Sequence, residues 1–234
     1  MAPASILTPK GGVQVIAVVP AAGQSERMGQ PKLLLPWGRQ TVIEAVVAAL
    51  QAGGVDRVLV VVGPKMEAIA ERATAAGALI HHLATPTPDM RSTVEQGLAY
   101  LQRQKLLQEQ DGWLLAPADH PTLSPRIVRQ LLGMFAADSA IEMSDPPAPV
   151  PEEHSSTRRV ILVPVYQGRR GHPLLLSARC IPALQALPPN QGINALLRHP
   201  AVQVREVPCD DPATLDDLDT PLDYVRLRER IFPG

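Results

Sequence analysis

The amino-acid sequence predicts an α/β protein in which helices cover both faces of a mainly parallel sheet. Short apolar runs of strand length alternate with segments of helical periodicity, and this alternation is typical of such three-layer folds. The first apolar run, Val15–Val19, passes directly into a loop of small and basic residues. Because open α/β sheets bind ligands at the carboxyl ends of their strands, this loop is the first candidate binding site.

The first half of the chain predicts four strands and three helices. Thr41 and Glu44 have the spacing of a capping box that begins the first helix, with Gly53 near its end. Ser92 and Glu95 repeat the pattern and predict the start of the third helix. In chain order we expect strands at 15–19, 58–62, 78–83 and 113–116, and helices at 41–51, 65–76 and 92–107.

The second half predicts further strands at 160–165, 173–177 and 202–207. Ser124–Pro125 is a typical helix start, because a capping residue is followed by proline in the first turn. Thr220–Pro221 has the same form and predicts the start of the C-terminal helix.

We expect one domain over residues 13–230, since 234 residues are enough for one large α/β core. Residues 1–12 contain one lysine and no long apolar stretch, which favours a disordered tail over a signal peptide. Residues 138–158 are rich in proline, serine and charge, and such a composition buries too little apolar surface to order itself. We expect a flexible insertion there; a tolerated insertion is favoured over a functional lid.

Composition excludes several classes of partner. The chain has 22 Lys and Arg against 23 Asp and Glu, and a net charge of -1 gives no reason to expect nucleic acid or an anionic membrane. Its longest apolar runs fall far short of the roughly 20 residues of a membrane span. Cys180 and Cys209 form no CxxC pair, which favours a reduced, cytoplasmic protein.

The segment 21–38, AAGQSERMGQPKLLLPWG, has the character of a phosphate-binding loop. Gly23 and Gly29 let backbone N–H groups approach a ligand closely, because glycine has no side chain. Arg27 and Lys32 add two positive charges to the same loop. A nucleoside triphosphate suits this combination, although the spacing is neither that of a P-loop nor that of a dinucleotide fingerprint.

Carboxylates follow at two places, one after a predicted strand and one before the C-terminal helix. Asp119, in PADHP, comes just past the predicted strand 113–116, where it can hold Mg²⁺ or cap the next helix; a packed histidine is the favoured interpretation of His120. Asp217 and Asp219 precede the C-terminal helix, where capping or a solvated acidic face would also explain them.

Four segments in order resemble the MobA-like nucleotidyltransferases. They are the AAGxSxRMGxPK pattern of residues 21–32, PADHP, GRRGHPLLL and DLDTPLDY, and the resemblance covers about residues 13–230. The branch they are most similar to is the molybdenum cofactor cytidylyltransferases. The resemblance implies a Rossmann-like nucleotidyltransferase fold with a mixed sheet, and Mg²⁺-dependent cytidylyl transfer from CTP to the phosphate of molybdopterin or molybdenum cofactor.

The resemblance also implies a role for each matching residue. Arg27 and Lys32 are the expected catalytic residues, and Asp119 and Asp219 the expected metal ligands. At Ser92, helix capping is an explanation as good as nucleotide contact, and a solvated hairpin tip is the alternative for the GRRGHP turn. The remaining expected residues bind the nucleotide (Ala21, Ala22, Gly23, Gln24, Ser25, Ser92, Thr93, Pro117 and Ala118) or the acceptor (Arg170, Gly171, His172 and Asp217).

Two alternatives stay open. The same loop and carboxylates would serve nucleotidyl transfer to another phosphorylated small molecule, such as a sugar or polyol phosphate, or guanylyl transfer from GTP. A nucleotide-binding accessory protein that delivers cofactor to a molybdoenzyme is an alternative of another class, and a molybdoenzyme is the protein partner that the resemblance implies.

The segment 192–197 departs from the pattern of the relatives. Asn194 stands where relatives commonly have arginine, which puts the acceptor contact of that arginine in doubt for this chain.

Overall fold

The computed structural model describes residues 13–23, 25–144 and 159–233. The predicted tail at 1–12, the predicted nucleotide contact Gln24 and residues 145–158 of the predicted insertion lie outside the described residues. Within them, the predicted α/β fold is confirmed.

The helices and strands of the described chain follow the predicted order. The strands are β1 (Val15–Ala21), β2 (Pro36–Trp37), β3 (Gln40–Thr41), β4 (Arg57–Val62), β5 (Leu79–His82), β6 (Gly112–Leu115), β7 (Val160–Tyr166), β8 (Arg169–Arg170), β9 (Leu174–Ser177) and β10 (Gln203–Pro208). The α-helices are α1 (Val42–Gly53), α2 (Glu67–Ala75), α3 (Met90–Arg103), α4 (Pro125–Ser144), α5 (Ile181–Gln185) and α6 (Pro221–Ile231). The sequence pattern misses β2, β3, β8 and α5 because they are too short to show a periodicity.

The main sheet is mixed and mainly parallel, as predicted. Its strand order is β10-β7-β9-β6-β1-β4-β5, with β8 paired to β7. β1 runs parallel to both β4 and β6, while β9 is antiparallel to β6 and β7. The parallel pairing brings the carboxyl ends of β1 and β6 to the same edge of the sheet, which is where the predicted phosphate loop and Asp119 begin.

Two apolar clusters lie on opposite faces of this sheet and make the three layers. Successive residues of β1 alternate between them, because side chains on a strand point to opposite faces. Ala17 and Val19 pack with residues of α1, α2 and α4. Ile16 and Val18 pack with residues of α3 and α5. No helix among the described residues has both the length and the apolar character needed to cross a membrane.

The start of α3 corrects the predicted capping box at Ser92 and Glu95. Asp89 is the N-cap, and its carboxylate accepts a hydrogen bond of 2.7 Å from the Ser92 backbone N–H. An aspartate three residues earlier satisfies the free N–H groups of the first turn, so Ser92 becomes part of the helix. Glu95 instead pairs with Arg91 at 2.8 Å. The helix also ends earlier than predicted, at Arg103, and Lys105 beyond it has a positive φ of 56°.

Two other helix starts agree with the sequence. The Glu44 carboxylate accepts from the Thr41 backbone N–H at 2.6 Å, so the first capping box is present. α4 begins at Pro125 but continues to Ser144, and residues 138–144 of the predicted insertion are therefore helical. The reason lies in the sequence, since 134–144 contains neither proline nor glycine to stop the helix.

Gly97 lets α3 lie close to the sheet, and we expect Gly97→Ala to destabilise the protein. A Cβ there would lie 2.7 Å from Val61 Cγ2 and 3.3 Å from Val18 Cγ1, so either the helix or the strand must move. Overpacking of this kind lowers the free energy of unfolding by about 1–3 kcal/mol. Urea denaturation of the variant measures it.

The matched control is Gly133→Ala in α4, where a Cβ would have no neighbour within 4 Å. Because alanine has the higher helix propensity, this variant should keep the stability of the parent or gain up to about 1 kcal/mol. Equal effects of the two changes would contradict the close packing of α3.

Candidate active site

A cavity of about 540 Å³ opens at the carboxyl edge of the sheet, between the ends of β1 and β6 and the start of α3. It brings together the loop after β1, the loop after β6, the segment before α3 and the residue that precedes Thr220. Eleven of the residues singled out in the sequence line it, namely Ala21, Ala22, Gly23, Ser25, Arg27, Lys32, Thr93, Pro117, Ala118, Asp119 and Asp219.

The loop after β1 is held in shape by its own backbone. Ser25 has a positive φ of 55° and Gly29 one of 64°. The Ser25 carbonyl accepts from the Met28 N–H at 2.9 Å, and the Ser25 hydroxyl accepts from the Lys32 N–H at 3.3 Å. Met28 and Leu33 are buried in the core. These contacts anchor the loop on both sides of its basic residues, so that Lys32 faces the cavity.

Two carboxylates and two cations meet in the wall of the cavity. The Lys32 Nζ lies 2.6 Å from Asp119 Oδ2 and 3.0 Å from Asp219 Oδ1. An Arg27 guanidinium nitrogen lies 3.0 Å from the other oxygen of Asp219. Burial of the Lys32 ammonium acts to lower its pKa, but the two carboxylates together outweigh burial and raise the pKa of Lys32 above its ordinary value. The lysine therefore stays positively charged at neutral pH.

The segment before α6 is tied to the loop after β6, and this brings Asp219 opposite Asp119. The Leu218 backbone N–H donates to the Asp119 carbonyl at 3.2 Å. Two residues before Leu218, the buried Asp216 carboxylate accepts a hydrogen bond of 2.7 Å from the Thr122 hydroxyl and another from the Arg230 guanidinium. The Leu218–Asp119 and Asp216–Thr122 contacts each join residues about a hundred positions apart, and they hold the segment before α6 against the loop after β6.

Capping does not explain Asp219. Thr220 is the N-cap of α6, and its hydroxyl and the Asp223 carboxylate form the capping box. The Asp219 side chain is therefore not part of the cap, and it forms ion pairs with Lys32 and Arg27.

Asp217 belongs to a second cluster, beside the cavity. Its carboxylate accepts from Nε2 of His120 at 2.7 Å, and this hydrogen bond lowers the pKa of Asp217. His120 is 2% exposed, as expected for a packed histidine. The His172 ring lies 5.7 Å from the His120 ring, and its buried Nδ1 has no hydrogen-bond partner among the described residues. Burial, with a further contribution from His120, lowers the pKa of His172 to about 4, so this imidazole is neutral.

Other predicted ligand contacts lie outside the lining of the cavity. Arg170 is exposed on β8 and pairs with Glu206 of β10 at 2.8 Å. Gly171 has a structural role, since a Cβ there would lie 2.3 Å from the Thr214 carbonyl oxygen. The Ser92 N–H is part of the α3 cap. Their contacts with a substrate stay predictions.

The cavity also has a wall that sequence reasoning missed. Pro86, Thr87, Pro88, Asp89 and Met90 line it just before α3 and in its first turn. The Thr87 and Thr93 hydroxyls lie 2.6 Å apart and hold this wall together. The available signal was the TPTPDM sequence, in which two prolines stiffen a loop directly before a helix.

The donor set fits a divalent metal that is only partly held by protein. Asp119 and Asp219 already converge on one cation, and carboxylate oxygens are the ligands that Mg²⁺ prefers. Among the described residues, no group of three or more His, Cys, Asp and Glu side chains is arranged to hold a metal. The remaining ligands would therefore come from phosphate oxygens and water.

Comparison with known proteins identifies the family. The profile of the MobA-like NTP transferase domain matches residues 17–206. The chain is 28% identical over 220 residues to nicotine blue oxidoreductase of Paenarthrobacter nicotinovorans, covering 91% of this chain and 96% of that protein. It is 27% identical over 220 residues to molybdenum cofactor cytidylyltransferase of Escherichia coli (strain K12), covering 91% and 95%.

A solved structure with the same fold is a nucleotidyl transferase from Methanothermobacter thermautotroptrophicus, with a TM-score of 0.70, 24% sequence identity and coverage of 94% of this chain and 98% of that one. The family profile spans well over half of this chain and includes the loop after β1, Asp119 and the turn before β9. The chain therefore belongs to the MobA-like NTP transferase family.

Proposed function

We propose that this nucleotidyltransferase moves a cytidylyl group from CTP to the phosphate of molybdopterin or molybdenum cofactor and releases pyrophosphate. The observation that carries the proposal is the meeting of Lys32 and Arg27 with Asp119 and Asp219 in one cavity wall. Two cations suit a triphosphate, and two carboxylates suit the metal that accompanies it. The 27% identity to a molybdenum cofactor cytidylyltransferase supports the choice of nucleotide and acceptor.

The cavity suits a nucleotide in size, since small-molecule sites typically enclose about 300–1,000 Å³. The triphosphate would lie along the loop from Ala21 to Ser25, where backbone N–H groups can donate to phosphate oxygens. The nucleoside would lie against the wall formed by Pro86–Met90 and Thr93.

Transfer needs no nucleophile from the protein. An oxygen of the acceptor's terminal phosphate attacks the α-phosphorus of CTP in line and forms the new P–O bond. The bond to the bridging oxygen of the β-phosphate breaks, and pyrophosphate leaves with that electron pair. Catalysis then consists of positioning and of stabilising the negative charge that develops.

The charged residues divide this work. Lys32, half-buried and held by two carboxylates, would stabilise charge on the α-phosphate. The Arg27 side chain is 71% exposed, so it has the freedom to move and bind the β- and γ-phosphates. Asp119 and Asp219 would hold Mg²⁺, which neutralises phosphate charge when bound.

The acceptor would bind beside the nucleotide, on the side of His172 and Asp217. Nδ1 of His172 supports this, because it has no partner in the described part of the chain and a buried polar atom without a partner is costly unless a ligand satisfies it. A neutral imidazole can donate or accept a hydrogen bond, and a pterin ring offers both kinds of group. Delivery of the product to a molybdoenzyme is compatible with this arrangement.

The functional assay follows directly. The purified protein with Mg²⁺ should release pyrophosphate from CTP when molybdopterin or its molybdenum form is supplied, and much more slowly from ATP or GTP. A coupled pyrophosphate assay measures this. Equal turnover with a sugar phosphate and none with the pterin would refute the molybdenum assignment and leave nucleotidyl transfer standing, whereas a preference for GTP would indicate guanylyl transfer.

Lys32→Ala should lower turnover by about 10²–10³-fold, the usual loss for one preorganised charge donor in an active site. Its control is Lys105→Ala, which removes the same charge from an exposed residue just beyond the C-terminal end of α3. Steady-state rates, with a thermal melt of each variant, make the comparison. Near-normal turnover of a folded Lys32→Ala protein would exclude Lys32 from catalysis.

Asp119→Asn keeps the size of the side chain and removes the charge that would hold the metal. Mutation of a residue that only orients a metal ligand already costs about 10–100-fold in metal affinity or activity, so loss of a ligand itself should lower turnover at least about 100-fold. Added Mn²⁺ should recover part of the rate. The exposed Asp210→Asn is the matched control and should keep full activity. An active Asp119→Asn variant would contradict metal ligation.

A further inference from the structure

Lys32 lies at the point on which both carboxylates of the active site converge. Its Nζ contacts Asp119 at 2.6 Å and Asp219 at 3.0 Å, and its side chain is only 16% exposed. Among the described residues, it is the cation that contacts both carboxylates, since Arg27 contacts Asp219 alone. In the protein without ligands, each carboxylate therefore already has a positively charged partner.

A metal that joined the same carboxylates would need the position that the ammonium has. Mg²⁺ binds oxygen at about 2.0–2.1 Å and tolerates little departure from octahedral geometry. An ammonium left within about 4 Å of a divalent cation would be strongly repelled in a partly buried site. Metal binding to both Asp119 and Asp219 thus requires Lys32 to leave them.

The displaced lysine needs another partner. Moving a charged group that is partly buried away from both of its counter-ions is costly unless a new anion replaces them. A triphosphate in the cavity provides that anion, because Lys32 and the loop of Ala22 and Gly23 line the same space. Lys32 would then pair with the phosphates of the nucleotide, and the two carboxylates would be free to bind the metal.

We propose that Lys32 is the resident counter-ion of Asp119 and Asp219 in the free protein, excluding a free divalent cation until a nucleoside triphosphate draws the lysine away. The inference rests on the proposed nucleotidyl transfer for the identity of its two ligands. Metal and nucleotide then bind cooperatively, and by linkage each raises the affinity of the other by the same factor. The metal enters with the triphosphate and not before it.

The test measures Mn²⁺ binding to the full-length protein without nucleotide, by the electron paramagnetic resonance signal of free Mn²⁺. Lys32→Met removes the competing charge with a side chain of similar length. It should bind Mn²⁺ about tenfold more tightly than the parent, or better, within the usual range of coupling between ligands. Lys32→Gln serves as a second neutral variant if the first is poorly folded by circular dichroism.

Arg27→Met is the matched control for net charge. It removes the same charge, but Arg27 is largely exposed and contacts one carboxylate, so Mn²⁺ affinity should rise by only about threefold. Adding Asp119→Asn to Lys32→Met should abolish the gain, because the metal loses a ligand.

Three results would overturn the inference: parent affinity equal to that of Lys32→Met, an equal gain in Arg27→Met, or no Mn²⁺ binding by either neutral variant of Lys32. Because no nucleotide or acceptor is present, the result is independent of the acceptor assay. Tighter Mn²⁺ binding by Lys32→Met, together with no turnover of the pterin by the parent protein, would refute the proposed acceptor and support the exclusion of metal by Lys32. Normal turnover by the parent, with no tighter Mn²⁺ binding by Lys32→Met, would refute only the exclusion of metal.

Discussion

The ion pairs that Lys32 makes with Asp119 and Asp219 are the interaction on which the site depends. They join the Lys32 loop to two segments that lie 87 and 187 residues further along the sequence. Two carboxylates that contact the same ammonium group are close enough to repel each other, and the shared cation makes their approach favourable. The protein's own lysine therefore keeps these two carboxylates together in the wall of the cavity.

The sheet makes this meeting possible. Parallel pairing of β1 with β6 aligns Val18 with Leu115, so that both strands end at one edge and their loops face the same space. The backbone hydrogen bond from Leu218 to Asp119 then adds the third segment. Each of these contacts is between main-chain atoms, so the backbone brings the three segments together and the ion pairs then join their side chains.

The opposite wall of the cavity is equally well anchored. Arg91, in the first turn of α3, is buried and donates hydrogen bonds to the carbonyls of Leu187, Pro188 and Gln191. The start of α3, which lines the cavity through Met90 and Thr93, is therefore fixed to the C-terminal half of the chain. Hydrogen bonds therefore hold in place both the start of α3 and the described part of the loop after β1, which line the same cavity.

The sequence by itself determined the order of the longer strands and helices and the place of the glycine-containing loop after β1, because strand periodicity, the Thr41–Glu44 cap and the loop's composition are local signals that need no other part of the chain. It also indicated the charged residues that line the cavity. Only the tertiary structure decided that Asp219 meets Lys32, that Asp89 takes the cap expected at Ser92, and that Gly171 lies against Thr214. These outcomes depend on contacts between residues far apart in sequence, or on competition between neighbouring capping residues, and neither leaves a periodic pattern in the chain.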